Sequence, residues 1–199
     1  RQERAAPARP CARLDAGLPI VPISVNQSRL HMSESDYLSK MHEIVLQYAL
    51  PKGSIELEVT ETAFVDMEQG KFRQETFQIL AKLHKMGFSI SMDDFGSGYS
   101  SLMLLNALPM DVMKIDRSLL DASIDSLRTQ EILGHIIDLG KKLHMQVICE
   151  GIETKEQERL LLANECLYGQ GYLYSKPLPL TEFEIFLQQH PLAEDMILR

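Results

Sequence analysis

Two adjacent carboxylates, Asp93 and Asp94, end an apolar run in SMDDFGSGYSSL (91–102), and a glycine-bearing loop follows them. Neighbouring carboxylates repel, so the pair costs stability unless a cation or a proton compensates. Other oxygen-bearing side chains recur at comparable places: Asn26, Glu58, Asp116, Glu150 and Gln170 each fall at or near the end of a strand-like stretch. Hard anionic oxygens suit Mg²⁺ or Mn²⁺ rather than a thiolate-loving metal. The five carboxylates among these residues exceed the need of one Mg²⁺. They suit two ions about 3.5–4 Å apart, the clamp used for in-line phosphoryl displacement. Lys114 lies two residues before Asp116 in one strand, so both project to the same face. There it would orient an attacking water or stabilise charge developing on phosphate.

Each residue taken alone also has a plainer reading. A single acid at a strand end is more often a helix cap or a surface charge, and Lys114 a salt-bridge partner. Asn26 reads as a turn residue, and Gln170, between two glycines, as a group that satisfies backbone. The six histidines show no HxH or HxxxH ligand spacing. What argues for a site is recurrence, because acids close four separate strands.

The elements that must position these residues alternate. Strands are expected at 19–26, 54–61, 88–94, 111–116, 145–151 and 167–175. Between them, Leu38, Met41, Val45 and Tyr48 mark one helical stripe. Leu80 and Leu83 mark a second, which Gly87 stops, and Ile132, Ile136, Leu139 and Leu143 mark a third. A short helix at 101–108 ends at Pro109. Thr154 with Gln157, and Thr181 with Glu184, fit capping boxes. Strands alternating with helices imply parallel pairing through right-handed crossovers. An open doubly wound sheet would spread the polar strand ends in a row, whereas a (β/α)8 barrel gathers them at one mouth. The barrel is therefore expected. Six strands fall short of a complete barrel of about 250 residues by roughly 50. An exposed apolar patch is expected where further strands would pack.

The 199 residues suffice for one domain, with residues 1–16 as an atypical N-terminal segment and 17–199 as a partial barrel domain. No apolar run approaches the roughly 18 residues of a membrane span. The arginine-bearing start is not a secretory signal. A net charge of −8 argues against binding to long nucleic acid, but not against a small anion whose charge metal ions offset. Cys11, Cys149 and Cys166 form no CxxC pair and read as reduced thiols of a cytoplasmic protein, with Cys149 buried in a strand.

ELEVTE (56–61), DDFGSGYSSL (93–102), KID (114–116), EGIET (150–154) and QGYLYSKPLP (170–179) occur in the order and rough spacing of one family, and SVNQS (24–28) matches its Asn-bearing strand. In these motifs the chain resembles the EAL-domain cyclic di-GMP phosphodiesterases. The resemblance implies an α/β, modified TIM (β/α)8 barrel, here N-terminally incomplete, that hydrolyses cyclic di-GMP to linear pGpG with Mg²⁺ or Mn²⁺. It implies metal-ligand roles for Asn26, Glu58, Asp93 and Glu150, with Asp94 and Asp116 at a second ion. Lys114 would help to place the attacking water. Glu61 would steady the DFGSGYSS loop, and Glu153 and Gln170 would be further pocket residues. The implied partners are cyclic di-GMP, a second copy in a homodimer, and a sensory or GGDEF-type domain upstream in the parent protein. The family's Glu-Ala-Leu triplet does not occur in the sequence. Truncation upstream is the simplest reading, since the other motifs are intact. A catalytically impaired module that binds cyclic di-GMP or a protein is the alternative. Enolase-like chemistry with a Lys base is a remoter one.

Overall fold

The computed structural model describes residues 21–60, 70–97, 105 and 108–190. Six strands form one sheet in the order β1 to β6: Ile23–Asn26, Ile55–Thr60, Ser89–Phe95, Val112–Ile115, Gln146–Cys149 and Tyr168–Gly169. Every neighbouring pair is parallel. A doubly wound sheet reverses its order at a switch point. Here the chain advances in one direction only, which is the winding of a barrel. The sheet is an open arc of that barrel, with β1 and β6 as its edges.

Helices follow the strands along the chain: α1 (Arg29–Met32), α2 (Tyr37–Tyr48), α3 (Gly70–Met86), α4 (Arg117–Ile124), α5 (Leu127–Lys142), α6 (Lys155–Ala163) and α7 (Leu180–Gln189). Strand side chains alternate between faces, and the split is by polarity. Leu57, Val59, Ile90, Met92, Met113, Ile115, Val147 and Cys149 face outward and are buried with Leu80, Leu83, Leu133, Ile137 and Leu161 of the helices. Each such burial contributes about 1.5–3 kcal/mol. The inner face carries Ser24, Glu56, Glu58, Ser91 and Lys114. On the outward side of edge strand β1, Ile23 and Val25 stay 46% and 42% exposed. Among the described residues no helix is long and apolar enough to cross a membrane.

Several local expectations hold for identifiable reasons. Leu38, Met41 and Val45 of α2 pack on the core. Gly87, at φ +100°, ends α3. Thr154 and Gln157 form a reciprocal capping box at α6. Cys149 is a buried free thiol, as is Cys166.

Others differ. The fully buried residues of α5 are Leu133, Ile137 and Gly140; of the expected stripe, Ile136 and Leu139 pack partly buried against the core while Ile132 and Leu143 are exposed. A Cβ at Gly140 would lie 2.4 Å from Val147 and 2.6 Å from Met113. This glycine therefore lets the helix sit directly on the sheet and sets its rotation. Helix α4 was not expected; Asp116 caps it by accepting the Ser118 N–H at 2.9 Å. Strand β6 is two residues long rather than nine. Beyond it the chain wraps around Ile152, whose N–H donates to the Gln170 carbonyl while its own carbonyl accepts from Leu173 N–H. A Cβ at Gly171 would lie 2.1 Å from the Ile152 oxygen, so only glycine permits that wrap. No side chain caps α7: it starts after Pro179, so Thr181 lies inside the helix rather than at its cap. The helix expected at 101–108 falls largely outside the described residues.

Candidate metal centre

At the C-terminal ends of β2 to β5 the inner face turns acidic. Its centre is the buried Lys114 ammonium. This group hydrogen-bonds the Glu58 carboxylate and lies 3.5 Å from Glu150 Oε1 and 3.7 Å from Glu56 Oε1. Glu56 and Glu58 sit two residues apart on β2, so both project inward, and both are under 10% exposed. Ser24 Oγ of β1 donates to Glu56 Oε1 at 3.0 Å, tying the edge strand to the cluster.

Asp93 and Asp94 reach the same place by an irregularity. In a regular strand adjacent side chains take opposite faces. Here the β3–β4 register shifts between Met92 and Phe95, and Asp94 adopts a left-handed φ of +58°. Such bulges re-aim side chains and recur beside active sites. One oxygen each of Asp93, Asp94 and Glu150 consequently lies within 4.8 Å of the others. Gln170 Nε2 donates to Glu150 Oε1 at 2.7 Å and holds that carboxylate from the β6 side.

The electrostatics are those of a site awaiting positive charge. Burial pushes the Asp93 carboxyl above the ordinary range; the Asp94 and Glu58 charges add to this and Lys114 opposes it. Burial likewise raises Glu150, again against the pull of Lys114. For Lys114 burial acts downward, but its bond to Glu58 and the fields of Glu58, Glu150 and Glu56 outweigh it, so the ammonium is held charged. Asp93 Oδ1 is buried and has no hydrogen-bond partner. A buried polar atom left unpaired is costly and calls for an explanation. An orphaned carboxylate oxygen among hard anionic donors fits a divalent cation.

Of the residues named from sequence, Glu58, Asp93, Asp94, Lys114, Glu150 and Gln170 come together. Asn26 lies at the edge, in register with Glu58 and on the face of Ser24. Asp116 directs Oδ1 to the start of α4. Glu153 stands on the rim, where its carboxylate accepts from Arg117. Glu61 lies outside the described residues, as does the second half of the DFGSGYSS loop, 98–101. Sequence reasoning missed Glu56 and Arg117. The i, i+2 repeat of Glu56 and Glu58 in ELEV was the available signal for the first. A cleft of about 510 Å³ opens from Glu150, Glu153 and Gln170 past Arg117 to Tyr172, Lys176, Phe183 and Phe186. Lys176 Nζ lies 5.5 Å from the Tyr172 ring centroid, within cation–π range.

Comparison with known proteins identifies the family and the fold. The family model described as "EAL domain" matches residues 8–177. The chain is 38% identical over 169 residues to the cyclic di-GMP phosphodiesterase NbdA of Pseudomonas aeruginosa, covering 84% of this chain and 21% of NbdA. Among solved structures, the EAL domain of Mycobacterium smegmatis DcpA superposes with TM-score 0.80 at 30% identity, over 92% of this chain and 81% of that one. The Pseudomonas aeruginosa MucR phosphodiesterase, in a c-di-GMP complex, does so with TM-score 0.76 at 32% identity, over 87% and 68%. The chain spans only 20% to 31% of the length of the first three curated relatives.

Proposed function

The chain belongs to the EAL domain family, and from that premise we propose that it is a metal-dependent cyclic di-GMP phosphodiesterase unit. Water adds across one phosphodiester of the cyclic dinucleotide, the ring opens, and linear pGpG leaves. The observation that carries the reading is the convergence of Asp93, Asp94 and Glu150 beside the Lys114–Glu58 pair, with Asp93 Oδ1 unpartnered.

Asp93, Asp94, Glu58 and Glu150 would hold the cations, Mg²⁺ or Mn²⁺, with Asn26 contributing a neutral oxygen. Asp116 would join them by turning its carboxylate from the α4 cap. When bound, such ions offset the charge on the phosphoryl oxygens and acidify the attacking water. The residues of the chain do the positioning. Lys114 is held protonated by Glu58, so it acts as a hydrogen-bond donor and a fixed positive charge, not as a base. Gln170 fixes one Glu150 oxygen and leaves the other free. Cleft walls on the Tyr172 and Phe186 side offer apolar surface to the body of the ligand. The MucR name pairs a diguanylate cyclase with the phosphodiesterase. A cyclase or sensory domain upstream in the parent, and a homodimer, fit the same reading.

Incubating the chain with cyclic di-GMP and Mn²⁺, followed by chromatography, tests this. The expected product is the linear dinucleotide, lost on Asp93→Asn and on Glu58→Gln. Cyclic substrate recovered intact from the wild-type reaction would overturn the assignment.

A further inference from the structure

A closed ring of hydrogen bonds stands behind the rim of the site. Arg117 Nη1 donates to Glu153 Oε1, and Arg117 Nε donates to Asp121 Oδ2 at 3.0 Å. The other Asp121 oxygen accepts from Gln157 Nε2 at 2.7 Å. Gln157 Oε1 then accepts the backbone N–H of Glu153 at 2.8 Å, which returns the ring to its starting residue. Gln157 is 5% exposed, and each polar atom of its side-chain amide is engaged. The ring joins α4, α6 and the turn that follows β5. That turn begins at Glu150 and passes through Gly151, where φ is +69°. A Cβ on Gly151 would lie 2.6–2.8 Å from the Arg117 Cβ, Cγ and Cδ atoms, so the turn rests directly on the arginine stem.

The capping box of α6 needs only Thr154 and Gln157. Asp121 steadies the Gln157 amide, but Arg117 makes no contact with the cap itself, and exposed ion pairs contribute little to stability. Their geometry is better explained by what the turn carries. We propose that Arg117 is a positioning residue: through its contacts with Asp121, Glu153 and Gly151 it holds the 150–154 turn so that Glu150 faces Asp93 and Asp94. This rests on the reading of that triad as a divalent-cation site. Arg117 acts on the metal through Glu150 and is not itself a metal ligand.

The sign of a single measurement separates this role from simple charge. Arg117 is a cation beside an acidic site, so by Coulomb's law alone its removal tightens cation binding. Loss of positioning weakens it, because groups that orient metal ligands typically carry about 10-fold or more in affinity. Mn²⁺ binding to the full chain is measured by calorimetry, with folding checked by circular dichroism and the thermal midpoint. The expected result is about a 10-fold weaker Kd for Arg117→Gln at an unchanged midpoint. Arg117→Lys keeps the charge but lacks the planar fork that spans two carboxylates, so it does not restore affinity. Arg117→Gln combined with Asp121→Asn is no weaker than either single variant, because members of one network are not additive. Unchanged or tighter binding in Arg117→Gln, or full rescue by lysine, overturns the proposal. Wild-type binding that Asp93→Asn abolishes and Arg117→Gln leaves intact sinks this inference alone. Absence of wild-type binding sinks the cation site together with it.

Discussion

The two faces of β2 to β5 are built from alternate residues of the same few strands, yet they do opposite things. Outward, Leu57, Val59, Ile90, Met92, Met113 and Ile115 pack against helices and stabilise the fold. Inward, Glu56, Glu58, Asp93 and Glu150 gather like charges around Lys114, and burial raises two of those carboxyls. A parallel sheet is usually apolar on both faces. One face here is given over to charge at a cost that the other face offsets. Stability and chemistry are thus interleaved at a period of two.

Lys114 is the exception on the inner face, since it both neutralises and organises, and its loss should have the largest effect. Lys114→Met leaves Glu56 and Glu58 buried without a counter-charge and is expected to cost about 4 kcal/mol in urea unfolding. A cost near zero would show that water already screens the inner face. Next comes the outer face itself. Leu57→Ala, between the two glutamates, should cost about 3 kcal/mol by cavity formation and leave metal affinity unchanged. A large loss of Mn²⁺ binding in that variant would mean that the faces are not separable.

Asp93→Asn should have the smallest effect and the opposite sign. In metal-free protein it is expected to raise stability at neutral pH, by about 1 kcal/mol or less once screening of a half-exposed group is allowed for. It should abolish cation binding at the same time. The pH dependence follows from the raised values. In a window opening near the ordinary 3.8 of Asp93 and 4.5 of Glu150, the folded state holds protons that the unfolded state has released. The contribution of these two groups to the stability of the metal-free chain therefore falls as pH rises through that window up to the raised folded values, a difference that Asp93→Asn should reduce. Thermal midpoints of the two proteins across pH check this; an equal pH dependence in that window would contradict burial as the cause.

Much of this contrast was legible in the sequence, because it resides in side-chain type and strand parity. Acids at successive strand ends gave the mouth, and KID placed Lys114 inward. What was hidden lies in the backbone and in long-range pairing. Nothing in SMDD announces a left-handed Asp94, yet the bulge is what brings two neighbouring carboxylates to one side. Glu56 drew no notice because its meaning depends on Lys114, 58 residues later. Helix α4 went unread because Asp116 has two uses, and its capping bond to Ser118 becomes visible only when the chain is folded. The rotation of α5 was set by Gly140, whose lack of a side chain makes no contribution to an apolar stripe.

The backward-twisted peptide at position 94 carries a lesson for mutational scanning. Alanine there would remove a charge and also force a residue with no local polar compensation into a conformation that aspartate, asparagine and glycine tolerate far better. Any lost activity would then mix two causes. Asparagine keeps the shape and the torsion while discarding the charge, and glycine keeps the torsion while discarding both. Only that pair of replacements can tell whether this locus matters for the oxygens it presents or for the kink it makes.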